Sequence, residues 1–106
     1  MSLRKLLVFV LLLYGSQAGA ERVSRAEFMV LCENHSALAA TIMQQRQAGV
    51  SMDAVMPLAK GDRSAEKMVQ AAFRSKQRET DKARAQAASD FENAVYAGCM
   101  NGAPRR

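Results

Sequence analysis

The sequence predicts an all-α fold, a small up-down bundle of three to four helices stapled by one disulfide. Three observations carry that expectation. The apolar residues step by three and four rather than by two, which is the period of a helix and not of a strand. Glycine and proline are confined to a few positions, so that residues 21–48 and 76–97 contain neither. Two cysteines, Cys32 and Cys99, stand near the two ends of the region that follows an apolar leader.

The leader is "MSLRKLLVFVLLLYGSQAGAERV", with Arg4 and Lys5 ahead of an apolar run from Leu6 to Tyr14 and small residues ending at Ala18-Gly19-Ala20. That is the layout of a secretory signal peptide. Nine apolar residues in a row fall well short of the ~20 that span a bilayer as a helix. Cleavage is expected after Ala20, and a lipoprotein is not, because no cysteine stands at the cut. The expected organisation is a cleaved leader over residues 1–20, a helical domain over 21–102 and a disordered basic tail over 103–106.

Charge reads differently once the leader is set aside. Arg4 and Lys5 are two of the 15 basic residues, and all 10 acidic residues lie beyond Ala20, so the processed chain carries +3. Arg105 and Arg106 supply two of those charges, which leaves the folded part nearly balanced. A pI of 9.7 would otherwise suggest nucleic acid or an anionic surface. The richest basic stretch, "FRSKQRETDKARAQ", includes Glu79 and Asp81 and offers only Phe73 for base stacking. It reads as a solvated helix surface, and no nucleic-acid partner is expected.

The first helix is expected over Glu21 to Ala48, with Phe28, Leu31, Cys32, His35, Leu38, Ala39 and Ile42 on its apolar face and Gly49 as its stop. Ser51 is placed to cap a short second helix carrying Met52, Val55, Met56 and Ala59, bent or shortened by Pro57. Gly61 then ends that segment and Asp62 or Ser64 caps a third helix with Ala65, Val69, Ala72 and Phe73 on one side and Met68 flanking. From there either one helix continues to Cys99, or a break near Thr80 starts a fourth helix showing Ala87, Ala88, Phe91, Ala94, Val95 and Cys99.

An exported chain with two cysteines is most simply read as holding one disulfide. The bridge encloses 66 residues, for which chain entropy gives about 4 kcal/mol, comparable to the stability of a small domain. It also decides between one long helix and two. With Cys99 level with Cys32 and the helices antiparallel, residue 82 lies opposite residue 49, where the first helix stops. A helix running on to Ser64 would overhang by ~27 Å with its apolar side bare. A turn or sharp bend is therefore expected between about Ser75 and Asp81.

"LCENH" also admits a reactive or metal-binding reading, because Cys32 and His35 share a helix face. A thiolate nucleophile needs a base held by a third group, and a closed zinc site needs about four ligands. The chain has one histidine. No catalytic residue, metal site or cofactor is expected. His35 reads as a core or rim histidine, with a pH sensor as its functional reading. Arg46, also on the apolar face, is expected to pair with Asp53, Glu79 or Asp81; a ligand-binding arginine is the other reading. Met29, Met43, Met52, Met56, Met68 and Met100 could supply soft ligands for Cu(I), but they lie on different helices at core spacings and read as filling or as adaptable surface. Tyr96 falls beside the stripe of the last helix and is a contact candidate.

The stretches "FMVLC", "IMQQRQAGVS" and "FENAVYAGC" resemble a loose group of uncharacterised small exported bacterial helical proteins. In that group a cysteine opens the first mature helix, an Arg-x-x-Gly closes it, and an aromatic-rich helix ends in a second cysteine. Cys32, Arg46, Gly49, Phe91, Tyr96 and Cys99 are the matching residues. The resemblance implies a disulfide-linked helical bundle and carries no catalytic residue. Those proteins often place a proline before the last helix, and "SKQRETD" has none.

The function expected on these grounds is non-enzymatic: protein–protein interaction in the bacterial envelope, as an accessory or adaptor of an envelope or secretion system. The partner would be an envelope protein, the location periplasmic or secreted, and any membrane contact would come from the uncleaved leader alone. A periplasmic acid or stress chaperone is one alternative, and a copper- or zinc-binding or thiol-redox protein is the other.

Overall fold

A computed structural model describes residues 23–105, so the leader expected over 1–20 lies outside the described residues. The fold is all-α, as the periodicity predicts. Helix α1 spans Arg25–Gln47, α2 spans Met52–Val55 and runs into a 3₁₀ turn over Met56–Ala59, α3 spans Arg63–Phe73, and α4 spans Asp81–Met100.

Each boundary follows from a local hydrogen-bonding need. Ser24 starts α1, its hydroxyl accepting from the Glu27 amide at 3.1 Å, which satisfies one of the helix's free amides. At the far end Gly49 takes φ +85°, the left-handed conformation that suits glycine. That lets the Gly49 amide reach the Arg46 carbonyl and the Val50 amide reach the Gln45 carbonyl, both at 3.1 Å, the paired bonds of a Schellman end. Ser51 caps α2 through the Ala54 amide at 3.3 Å. Pro57 then lies at the start of the 3₁₀ turn, where its missing N–H costs nothing, so the segment is shortened as its sequence predicts.

Two consecutive left-handed residues, Lys60 at φ 50° and Gly61 at φ 76°, reverse the chain. Of the two possible caps for α3 it is Asp62 that acts, its carboxylate accepting from the Ala65 amide at 2.9 Å. Helix α3 ends at Phe73, and Thr80 opens α4 by accepting from the Ala83 amide at 3.1 Å. The chain therefore breaks between α3 and α4 within the interval that the overhang argument requires.

Helices α1 and α4 are antiparallel and joined by a disulfide between Cys32 and Cys99, whose Cα atoms lie 5.6 Å apart. The core lies at the other end of this hairpin. It is built from Ala39, Ile42 and Met43 of α1, Val55 of α2, Met68, Val69 and Ala72 of α3, and Ala87 and Ala88 of α4. Length explains the asymmetry. At 1.5 Å per residue the 23 residues of α1 run ~34 Å, whereas the 11 residues of α3 run ~16 Å. Only the lower half of the hairpin is covered by further helices; the half holding the disulfide is two helices deep.

That shortfall corrects several expectations. Leu31 belongs to the predicted apolar face of α1 but is 57% exposed, because α3 does not reach its level. Ala94 of α4 is exposed as well, while Met68, expected at the margin of α3, is buried. Ala103 and Pro104 are half-buried, and Arg25 donates from Nη1 to the Pro104 carbonyl at 3.0 Å, folding the end against the start of α1.

Candidate functional site

The stretch "LCENH" resolves into a structural position. Both sulfurs are bonded to each other, so neither cysteine is a thiolate, and Cys32 is fully buried. His35 is half-buried one turn further along α1. Among the described residues no three His, Cys, Asp or Glu side chains come together as a metal site. A stable disulfide is what an oxidising, non-cytoplasmic compartment maintains.

Arg46 and its neighbour Gln47 do structural work that the sequence only half reveals. Among the described residues Arg46 meets no carboxylate. Its Nε donates to the Ser75 carbonyl at 3.1 Å and its guanidinium lies over the Phe73 ring, 5.2 Å from the centroid, so a carbonyl and a π face replace the expected ion pair. Gln47, 2% exposed, holds the connection between α3 and α4. Its Nε2 donates to the Lys76 carbonyl at 3.0 Å and its Oε1 accepts from the Arg78 amide at 2.7 Å. Gln77 returns a bond from its side-chain amide to the Gln47 carbonyl at 3.1 Å. Two of the backbone groups freed by breaking the helix are thus satisfied by one buried amide, and the Ser75 and Arg78 carbonyls accept from Arg46 and Arg84.

This latch positions an open groove. Helices α3 and α4 both pack on α1 but stand apart from each other, leaving a cavity of about 260 Å³ with Met43 and Phe91 at its base and Ala71, Ala87 and Ala94 on its walls. A second cavity of about 230 Å³ continues it along α4 past Ala83, sharing Arg78, Ala87 and Asp90. The stretch "FRSKQRETDKARAQ" is not one helix surface. It forms the end of α3, the latched connection and the start of α4, and of its basic residues Arg78 borders the groove while Arg84 faces a separate cavity with Gln44 and Gln47. The one ion pair among the described residues, Arg84 with Asp81 at 3.4 Å, is exposed and adds little to stability.

A second apolar surface lies at the disulfide end, where Met29, Val30 and Leu31 of α1 are exposed. Tyr96 is half-exposed on the flank of α4 away from the groove, in keeping with its place beside the stripe. Of the remaining methionines, Met43 and Met68 fill core and Met52 is exposed, so the set is dispersed rather than gathered. No helix among the described residues is long and apolar enough to cross a membrane. Comparison with protein-family models, with curated proteins and with solved structures returned no match for this chain.

Proposed function

We propose that this is an exported, non-enzymatic protein that acts in the bacterial envelope by binding another protein, as an accessory or adaptor of an envelope or secretion system. One observation carries the reading: the α1–α4 hairpin extends beyond the helices that cover it, leaving an apolar face and an open groove on a scaffold fixed by a disulfide and a buried latch. Exposed apolar surface costs free energy in water, and a contiguous stretch of it marks a contact site more often than chance. A helical scaffold recognises partners by such grooves without any sequence motif. The leader and the disulfide support an extracytoplasmic location, periplasmic or secreted.

The test is photo-crosslinking in the producing cell, with the reactive side chain placed in turn at Leu31, at Ala94 and at Ala37 on the exposed opposite face of α1. The expected result is one recurrent protein adduct from Leu31 or Ala94 and none from Ala37. Absence of any adduct, or equal labelling from all three positions, would overturn the interaction reading. Intact mass of the same material tests export: loss of residues 1–20 and of two hydrogens is expected.

A further inference from the structure

We infer that the end of the bundle formed by the connection between α3 and α4 rests on an anionic phospholipid surface, which holds the molecule end-on with its disulfide end outward. This goes beyond the protein-binding reading, which concerns the groove and the disulfide end, and departs from the expectation that membrane contact comes from the leader alone. The near balance of charge in the folded part hides a separation along the molecule. Residues 74–84 hold five cations, Arg74, Lys76, Arg78, Lys82 and Arg84, against Glu79 and Asp81; the rest of the described residues hold six cations and seven carboxylates. Asp81 is already paired with Arg84 at 3.4 Å, so among the described residues the other four cations and Glu79 have no ion pair.

The fold holds these charges at one end. The Lys76 carbonyl and the Arg78 amide bond to the Gln47 side chain, and Gln77 donates to the Gln47 carbonyl, which ties the connection to the end of α1 and leaves the side chains of Lys76 and Arg78 exposed. Arg74 directly follows α3 and Lys82 stands in the first turn of α4, both exposed. The four can therefore meet one plane together, inside the ~8 Å over which charge is felt at physiological salt. Glu27, Glu33 and Glu92 lie ~16–30 Å away along α1 and α4, two Debye lengths or more, and do not repel that plane. Arg78 borders the groove and Arg84 a separate cavity, whereas Arg74, Lys76 and Lys82 border neither. No pocket gathers the cations around one small anion, and a plane of distributed negative charge is what suits them. Met52 is exposed at the same end, three residues after Gly49, where a Cβ would lie 3.5 Å from Gln77 Nε2. A lipid interface takes up such an apolar side chain, which a nucleic acid or an acidic protein surface does not.

The experiment uses the oxidised protein as the cell exports it and measures cosedimentation with large vesicles of phosphatidylcholine, alone or mixed equally with phosphatidylglycerol. Each Lys or Arg near an anionic bilayer strengthens binding about fivefold, so three net charges give on the order of 100-fold tighter binding to the mixed vesicles at low salt. Release is expected near 1 M salt, where the Debye length falls to ~3 Å. Lys76→Gln and Arg78→Gln are each expected to weaken binding about fivefold with the melting curve unchanged, because the latch uses the backbone of both residues and not their side chains. Arg105→Gln removes the same charge from an exposed position at the disulfide end and is expected to leave binding as it is.

No binding, equal binding to the neutral vesicles, or an equal loss in Arg105→Gln would overturn the proposal. Displacement by inorganic phosphate at matched ionic strength would also overturn it, since it would mean a discrete anion site. Duplex DNA or poly-glutamate bound as tightly as the mixed vesicles, at equal anionic charge, would assign this end to another class of polyanion and overturn the bilayer as its partner. Crosslinking from Leu31 and Ala94 is independent of all these readouts, so the interaction reading stands or falls separately.

Discussion

Replacing Gln47 by leucine isolates the latch from everything else in the fold. Leucine is close to glutamine in volume and leaves no cavity, so the change removes hydrogen bonds without unpacking the core around a residue that is 2% exposed. Two backbone groups lose their partners, the Lys76 carbonyl at 3.0 Å and the Arg78 amide at 2.7 Å; the weak contact to the Met43 sulfur at 3.5 Å goes as well. A stranded buried polar group costs about 1–3 kcal/mol. Lys76 and Arg78 are exposed residues, so water recovers part of that cost, and the loss expected is about 2–3 kcal/mol. For a domain of this size each kcal/mol lowers Tm by roughly 4–8 °C, which puts the shift at about 8–24 °C.

The assay is thermal and urea denaturation of the oxidised protein, paired with hydrogen exchange at the Arg78 amide. Protection of that amide is expected in the parent and lost in the variant. Gln77→Ala is the control, since it removes one bond at 3.1 Å donated by an exposed side chain and is expected to cost less than about 1 kcal/mol. The reasoning is refuted if Gln47→Leu melts within about 2 °C of the parent and the Arg78 amide stays protected.

Reduction of the disulfide, or Cys32→Ala with Cys99→Ala, is expected to cost up to about 4 kcal/mol from the loop it closes. Because the core sits at the opposite end, exchange and proteolysis should open residues 24–36 and 92–103 before the core amides, and uniform opening would contradict the asymmetric fold. Ile42→Ala and Leu31→Ala occupy one predicted stripe but should part company in urea: about 3 kcal/mol for the fully buried isoleucine and under about 0.5 kcal/mol for the exposed leucine. Gly49→Ala should cost about 1–2 kcal/mol from backbone conformation alone, because a Cβ there meets only Gln77 Nε2 at an ordinary 3.5 Å; a neutral effect by denaturation would mean that the α1 end relaxes freely.

The elements were legible because each rests on local rules that the residues themselves obey. Ser51, Asp62 and Thr80 all accept from an amide three residues on, and Gly49 ends α1 by the one conformation that glycine takes most easily; Ser24 caps α1 in the same way but was not read as its start, which was set at Glu21. The turn before α4 has no glycine or proline to announce it. It was legible only through the disulfide, which fixes where α4 must begin by its length against α1. Gln47 was not recognised, although it continues the buried series Ala39, Met43, Gln47 at steps of four. Its signal was a polar amide on an apolar face, close in space to a chain segment that must leave the helix and find partners for its backbone.

The groove was illegible for a different reason. Ala87 and Ala94 read as core because alanine at helical spacing usually means close packing, and Ala87 is indeed buried while Ala94 is open. Which outcome holds depends on whether another helix stands opposite, and that is a property of the relative lengths of α1 and α3. The stripe on α1 shows the same dependence: Ile42 and Leu31 carry identical apolar signals, and only the reach of an 11-residue helix separates a core residue from an exposed one. Periodicity reports which face prefers to be covered. A face that keeps the pattern but lacks the cover is where this chain has apolar surface left for something else to bury.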